Sequence, residues 1–357
     1  MSNHARAAME NVERALDPSW FPVDFDVYRR EVHFLKVTEA LVEQSPFIDS
    51  RLQVDFSTAD VVPLDALPAL PSLPTPVWLW HTSFCGSTLL ARMLHLTPYS
   101  VSLREPLLLR RWSDACRAGL ATQAFQRALL PWLSRPWSPN GKVLIKPTHA
   151  ALNIASEMMA VYPAARGLLL VSSLQDFLLS HLKKTPETLQ KIPLLADRAL
   201  RASAFVSRIP AAALAPPDPL CGAALQWAAQ REVIADWLLQ DRSRIRVLHW
   251  EQVRGDLLAA ANNAAAWLQL DLPEFALREH VHACAGVHAK APTRAYGVDV
   301  QQQEATWLLG EYRSEIASAV RWAERHLLPF MRDDALLPEL AGHDGESGNC
   351  SSTTGVR

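Results

Sequence analysis

The stretch Val77-Trp78-Leu79-Trp80-His81-Thr82-Ser83-Phe84-Cys85-Gly86-Ser87-Thr88-Leu89-Leu90 decides how this chain is read. Its first half is a short, nearly continuous apolar run, the pattern of a strand buried on both faces. Ser83 to Gly86 reads as a tight turn, and the residues from Ser87 to about Leu96 read as a helix. Gly86 lets a ligand come close to the backbone. Amides in the first turn of a helix have no intrahelical acceptor, and the hydroxyls of Ser87 and Thr88 add donors. Strand, turn and helix together therefore make a cradle for an anion. An ordinary strand-to-helix turn capped by hydroxyls is the competing reading of the same residues.

Further apolar runs follow. Val101-Ser102-Leu103 leads into Arg104-Glu105-Pro106. Lys142 to Lys146, Gly167 to Val171 and Ile245 to His249 read as strands, with helical stretches over about 107–134, 150–160, 174–184, 187–240, 251–283 and 300–328. Short apolar strands alternating with helices predict an α/β fold, a parallel sheet flanked by helices on both faces. In such sheets ligands sit at the carboxyl ends of the strands. Upstream, Pro63, Pro68, Pro71, Pro74 and Pro76 crowd a stiff connector that excludes helix. It separates an N-terminal segment, 1–76, from the α/β domain, 77–335. Within that segment 1–20 reads as helix, and 21–60 as helix and extended pieces packed on the main body. The polar tail, 336–357, is expected to be disordered.

The chain has 357 residues, with 35 Lys+Arg against 37 Asp+Glu, a formal net charge of −2. That balance argues against nucleic-acid binding through bulk positive charge, so an anion site has to be local. Hydrophobic residues make up 49% of the chain, enough for a large core, yet no apolar run is long enough for a membrane span. The start lacks the continuous apolar segment of a signal peptide. Cys85, Cys116, Cys221, Cys284 and Cys350 are odd in number and scattered, as in a reduced, cytoplasmic protein. His280, Cys284 and His288 share a helical spacing, but Gly286 interrupts it and no fourth ligand is evident, so no metal site is expected. Oligomeric state is left open.

The loop is not the nucleotide-hydrolysing pattern G-x-x-x-x-G-K-S/T, because Ser87 stands where the lysine would be. Thr82 to Leu90, followed by Arg104-Glu105-Pro106, instead resembles the sulfotransferase family, in particular its bacterial and Golgi-type members. Their loop runs P-x-R-S-G-S/T-T-L-L and is followed by a G-E-P or E-E segment. Val143-Leu144-Ile145-Lys146-Pro147-Thr148-His149 is similar to that family's V-L-K-x-P strand end. Leu169 to Ser180 is similar to its R-D-P-R-D-V-x-x-S segment, and Val247 to Val253 to its V-x-Y-E-D-L strand. Order and spacing agree over about 77–255.

The resemblance implies a P-loop-type α/β domain. It would bind 3′-phosphoadenosine 5′-phosphosulfate as donor and pass the sulfuryl group to a hydroxyl or amine acceptor without a metal. By position, the loop residues Cys85, Gly86, Ser87 and Thr88 hold the 5′-phosphosulfate, Ser180 contacts the 3′-phosphate, and Glu105 is the base toward the acceptor. Lys146 and His149 match a lysine and histidine that some members place at the second strand end. Lys290 and Arg294 resemble a late basic phosphate-binding segment. Two positions depart from the pattern: Phe84 stands at the loop cation and Ser172 at the arginine of the R-D-P segment. The charge must then come from elsewhere, from Lys146, Arg104, Lys183, Lys184, Lys290 or Arg294. Otherwise the chain binds a nucleotide or phosphorylated metabolite without catalysis. An atypical P-loop small-molecule kinase is a third reading.

Overall fold

The computed structural model describes residues 14–70, 74–120, 123–295, 297–332 and 339–340. The helix expected before residue 14 and most of the tail lie outside them. Of the tail, Leu340 is docked, its N–H donating to the Val247 carbonyl at 2.8 Å.

Among the described residues the main sheet is built from β4 (Val77–His81), β5 (Ser100–Arg104), β6 (Lys142–Lys146), β7 (Gly167–Val171) and β8 (Ile245–His249). Its order is β5-β6-β4-β7-β8 and every pairing is parallel. The period-two alternation of strand side chains splits the core between the two faces. Trp78 and Trp80, Val143 and Ile145, and Leu169 and Val171 face one layer. Leu79, Leu144, Leu168 and Leu170 face the other. On the first face Trp78 and Trp80 stack with centroids 5.1 Å apart, and Trp237 of the helix Pro219–Leu238 meets Trp80 edge-on. The helices Ser87–Met93, Leu257–Leu268 and Glu274–Ala285 cover the second. The chain thus has the α/β fold with a parallel sheet flanked by helices that its apolar runs imply.

Ahead of this sheet, β1 (Trp20–Asp26), β2 (Glu31–Lys36) and β3 (Asp60–Pro63) form a three-stranded antiparallel sheet. The sequence predicts only helix and extended pieces here. Phe21, Val23 and Phe25 do alternate toward the core, but Pro22 and an irregular register between Pro22 and Asp24 obscure the period. Trp20 stacks on Phe34 at 4.0 Å, and both meet Trp132 edge-on, so this sheet shares the core of the main body. A second unanticipated element is the hairpin of β9 (Val287–His288) and β10 (Ala291–Ala295). No described helix is long and apolar enough to cross a membrane.

Candidate active site

The carboxyl ends of all five main strands open on one side. At the topological switch, where β4 lies between β6 and β7, a crevice forms outside the strand ends. The crevice is a cleft of about 970 Å³ whose lining includes Phe84 to Thr88, Glu105, His149, Asp176, Ser180, Lys184, Trp250, Glu251 and Lys290.

The loop after β4 is held from behind. The Ser83 N–H donates to Gln230 Oε1 at 2.9 Å, and the Nε2 groups of Gln226 and Gln230 both donate to Ser83 Oγ, at 2.9 and 2.8 Å. Phe84 has φ +57° and Gly86 φ +76°, a left-handed region that only glycine enters without strain. At Gly86 the conformation is compulsory for a second reason. A Cβ there would lie 2.1 Å from the Trp250 ring. Ser87 and Thr88 begin the helix Ser87–Met93 in the cleft wall. Cys85 is among the residues that line the cleft, but its thiol is buried in the core and donates to the Thr82 carbonyl at 3.1 Å. Burial raises its pKa, which does not suit a nucleophile. Ser180, on the helix Leu174–Leu182, hydrogen-bonds the Phe84 carbonyl at 3.4 Å.

Glu105 directly follows β5, and Lys146 ends β6. Their strands pair with Arg104 opposite Lys146, so the parallel register itself makes neighbours of the two charges. Lys146 Nζ donates to Glu105 Oε1 at 2.7 Å, with the lysine side chain 0% and the glutamate 16% exposed. Burial alone would raise the Glu105 pKa. The Lys146 ammonium and its hydrogen bond outweigh burial and hold the carboxyl down to about 2. Glu105 also has φ +55° and lies 3.9 Å from Arg51. Behind the pair, the His81 ring is 2.8 Å from both the Thr82 and Pro147 carbonyl oxygens. Burial and Lys146 push its pKa well below the ordinary value, so it is neutral and its single N–H serves one of them. His149 is half-buried and lowered to about 4, chiefly by burial and against the pull of Glu105. Its Nε2 has no hydrogen-bond partner.

The far side of the cleft adds Asp176 and Glu251, which the sequence does not single out, to the candidate cations Lys184 and Lys290. The carboxyl of Asp176 is held above its usual range by burial and by Glu251. Glu251 accepts from the Ser173 N–H at 3.0 Å and is held below its usual range by such amide bonds, despite burial. Lys184, which by sequence reads mainly as part of a solvated helix face, lies with its ammonium 4.8 Å from the Phe84 ring centroid. Lys183 beside it, also in the cleft wall, bonds Glu304 at 2.7 Å. Lys290, on the turn of the β9–β10 hairpin, reaches the Phe84 ring at 5.9 Å. Arg294 lies on β10, and its side chain is outside the described ones. Arg104 points away from the cleft and donates to the Val42, Glu43 and Ser45 carbonyls, so it serves structure. Ser172 is buried, its carbonyl accepting from Trp227 Nε1 at 3.0 Å. His280 contacts the Arg92 carbonyl at 2.9 Å, and no cluster suited to a metal occurs among the described residues.

No family model matches this chain, and no curated protein matches it. Among solved structures it is similar to a sulfotransferase from Alicyclobacillus acidocaldarius, with TM-score 0.36 and 15% identity over 74% of this chain and 99% of that one. It is likewise similar to the sulfotransferase domain from the curacin biosynthetic pathway, with TM-score 0.37 and 14% identity over 71% and 98%. A sulfotransferase from Mycobacterium tuberculosis aligns with TM-score 0.30 and 13% identity over 66% and 77%.

Proposed function

We propose that this chain transfers a sulfuryl group from 3′-phosphoadenosine 5′-phosphosulfate to a hydroxyl or amine. The observation that carries the reading is the Lys146–Glu105 pair at 2.7 Å, whose glutamate lines the same cleft as the loop Phe84–Thr88 while the lysine is buried behind it. In this reading the loop and Ser180 hold the anionic donor. The acceptor oxygen or nitrogen attacks sulfur in line as the bond from sulfur to the bridging phosphate oxygen breaks. The acceptor's proton passes to Glu105 or His149, and the electron pair of the broken bond stays on the phosphate.

Charge develops on the bridging oxygen, where a fixed cation lowers the barrier by several kcal/mol. Lys146 is the buried cation nearest the base. Glu105 held near 2 is a poor proton acceptor while Lys146 faces it. A lysine that turns from the carboxylate to the bridging oxygen would release the base as it stabilises the leaving group. His149, neutral and with Nε2 unpartnered, is the alternative acceptor of the proton.

The uncharged Phe84 favours one rival, a binder of the nucleotide that performs no transfer. Sulfate transfer from labelled donor to a panel of alcohols and amines separates the two. The proposed reaction gives labelled product, reduced about a hundredfold or more in Glu105→Gln. Failure to bind 3′-phosphoadenosine 5′-phosphate at millimolar concentration in calorimetry would overturn the donor assignment.

A further inference from the structure

Phe84 stands in the loop with no charge, yet two lysines from distant parts of the chain converge on it. Lys184 comes from the end of the helix Leu174–Leu182 and Lys290 from the β9–β10 turn, 4.8 and 5.9 Å from the ring centroid. A cation within about 6 Å of an aromatic face is attracted by the ring's quadrupole. Phe84 is itself fixed from behind by His181, edge-on at 4.7 Å, and by Phe177 at 6.0 Å. Lys290 also lies 5.7 Å from the Phe47 ring, which carries Arg51 at 3.6 Å. Among the described residues neither lysine makes an ion pair, whereas the adjacent Lys183 is neutralised by Glu304. All three aromatic-bound cations face the cleft that holds the loop.

We propose that Lys184 and Lys290, held on the ring of Phe84, form an anion clamp that supplies the positive charge the loop itself lacks at position 84. The ligand class is a paired oxyanion, a phosphosulfate or diphosphate lying along the loop. Naming the phosphosulfate rests on the sulfuryl-transfer reading; the clamp itself does not. Two ammoniums brought together repel each other, and Glu304 near Lys184 and Glu105 near Lys290 offset this only in part. Burial, together with Lys290 and Lys183, lowers the Lys184 pKa to about 8, and an anion between the lysines relieves that repulsion. Phe84 is then a platform that replaces a loop cation by seating two others.

The test is calorimetry of the full chain with inorganic pyrophosphate and, separately, 3′-phosphoadenosine 5′-phosphate. The variants are Lys184→Met, Lys290→Met, Phe84→Leu and the double variant Phe84→Lys/Lys290→Met, with unfolding midpoints recorded for each. Each lysine variant should weaken binding about tenfold with little change in midpoint. Phe84→Leu keeps the apolar contact but removes the ring face, and should weaken binding about threefold. Phe84→Lys should restore most of what Lys290→Met loses. If the nucleotide binds equally well to wild type and both lysine variants, the clamp is wrong and the donor reading survives. If pyrophosphate binds in a lysine-dependent way and the nucleotide does not bind, the clamp stands and the donor reading falls. If neither ligand binds, both fall.

Discussion

The two ends of the cleft handle positive charge in opposite ways. At the strand ends, Lys146 is fully buried and meets Glu105 at 2.7 Å, so its charge is neutralised inside the fold. At the loop tip, Lys184 and Lys290 rest on an aromatic ring, and among the described residues neither has a carboxylate partner. A buried charge needs a counter-charge to exist at all, because desolvation would otherwise force it neutral. Lys184, less deeply placed, stays charged with the Phe84 ring face and the charge of Glu304 in support, at the cost of a pKa lowered by burial to about 8. The buried pair therefore serves stability and, in the proposed reaction, stands ready for proton transfer, whereas the rim cations are left free to meet an anionic ligand.

The largest effect that separates the two ends is on stability. Lys146→Met strands the Glu105 carboxylate and should cost about 3–5 kcal/mol in denaturant unfolding. Adding Glu105→Leu should recover part of that loss. A cost below about 1 kcal/mol for Lys146→Met would mean that the pair is not buried as described.

The loop between the two ends is next. Gly86→Ala puts a Cβ 2.1 Å from the Trp250 ring at φ +76°, and should cost about 2–4 kcal/mol. Gly86→Ala combined with Trp250→Leu should regain the steric part but not the conformational part. A wild-type unfolding midpoint for the single variant would show that Trp250 does not lie on the loop.

Acid resolves the two ends by their titration. His181, packed on Phe84, is lowered by burial from 6.5 to about 4, and Lys184 adds to the lowering. Glu105 is lowered from 4.5 to about 2. Both folded pKa values lie below the unfolded ones. Each contribution is therefore present above the unfolded pKa and lost as pH falls through the folded one. Unfolding free energy should decline first between pH 6.5 and 4, as the buried histidines are forced to charge, and again between 4.5 and 2. A folded pKa that lies one below the unfolded pKa corresponds to about 1.4 kcal/mol, so His181→Gln should flatten the upper limb by about 1–3 kcal/mol and leave the lower limb unchanged. An unchanged upper limb would show that the Phe84 end is not sealed from water.

The strands of the main sheet were legible because strands covered on both faces read as short, mainly apolar runs; β7 and β8 fall at the residues read from sequence, and β5, interrupted by Ser102, differs by one residue at each end. The β9–β10 hairpin was not legible. From Val287 the chain alternates apolar and polar residues only as far as Ala291, Pro292 breaks the period, and the pairing is irregular between Ala291 and Ala295. Within the candidate site, the loop up to Thr88 could be named from its strand-turn-glycine-helix pattern, and Glu105, Lys146 and His149 from the resemblance of the segments that follow the strands. Lys184 could not be told from Lys183 by sequence. The two are adjacent and both line the cleft, and only the tertiary packing sets Lys184 on the Phe84 ring and Lys183 on Glu304.

By itself, then, the sequence determined the α/β class, the strand-turn-glycine-helix loop, and the absence of a charge at position 84, since these depend on neighbouring residues and local periodicity. The tertiary structure alone decided which charges meet. Glu105 and Lys146 are 41 positions apart and are joined by the register of parallel strands. Lys184 and Lys290 come from a helix and a hairpin with no common sequence signal. Coulomb attraction and cation–π attraction act over a few ångströms of space, and spatial proximity between distant segments is set by the folding of the whole chain.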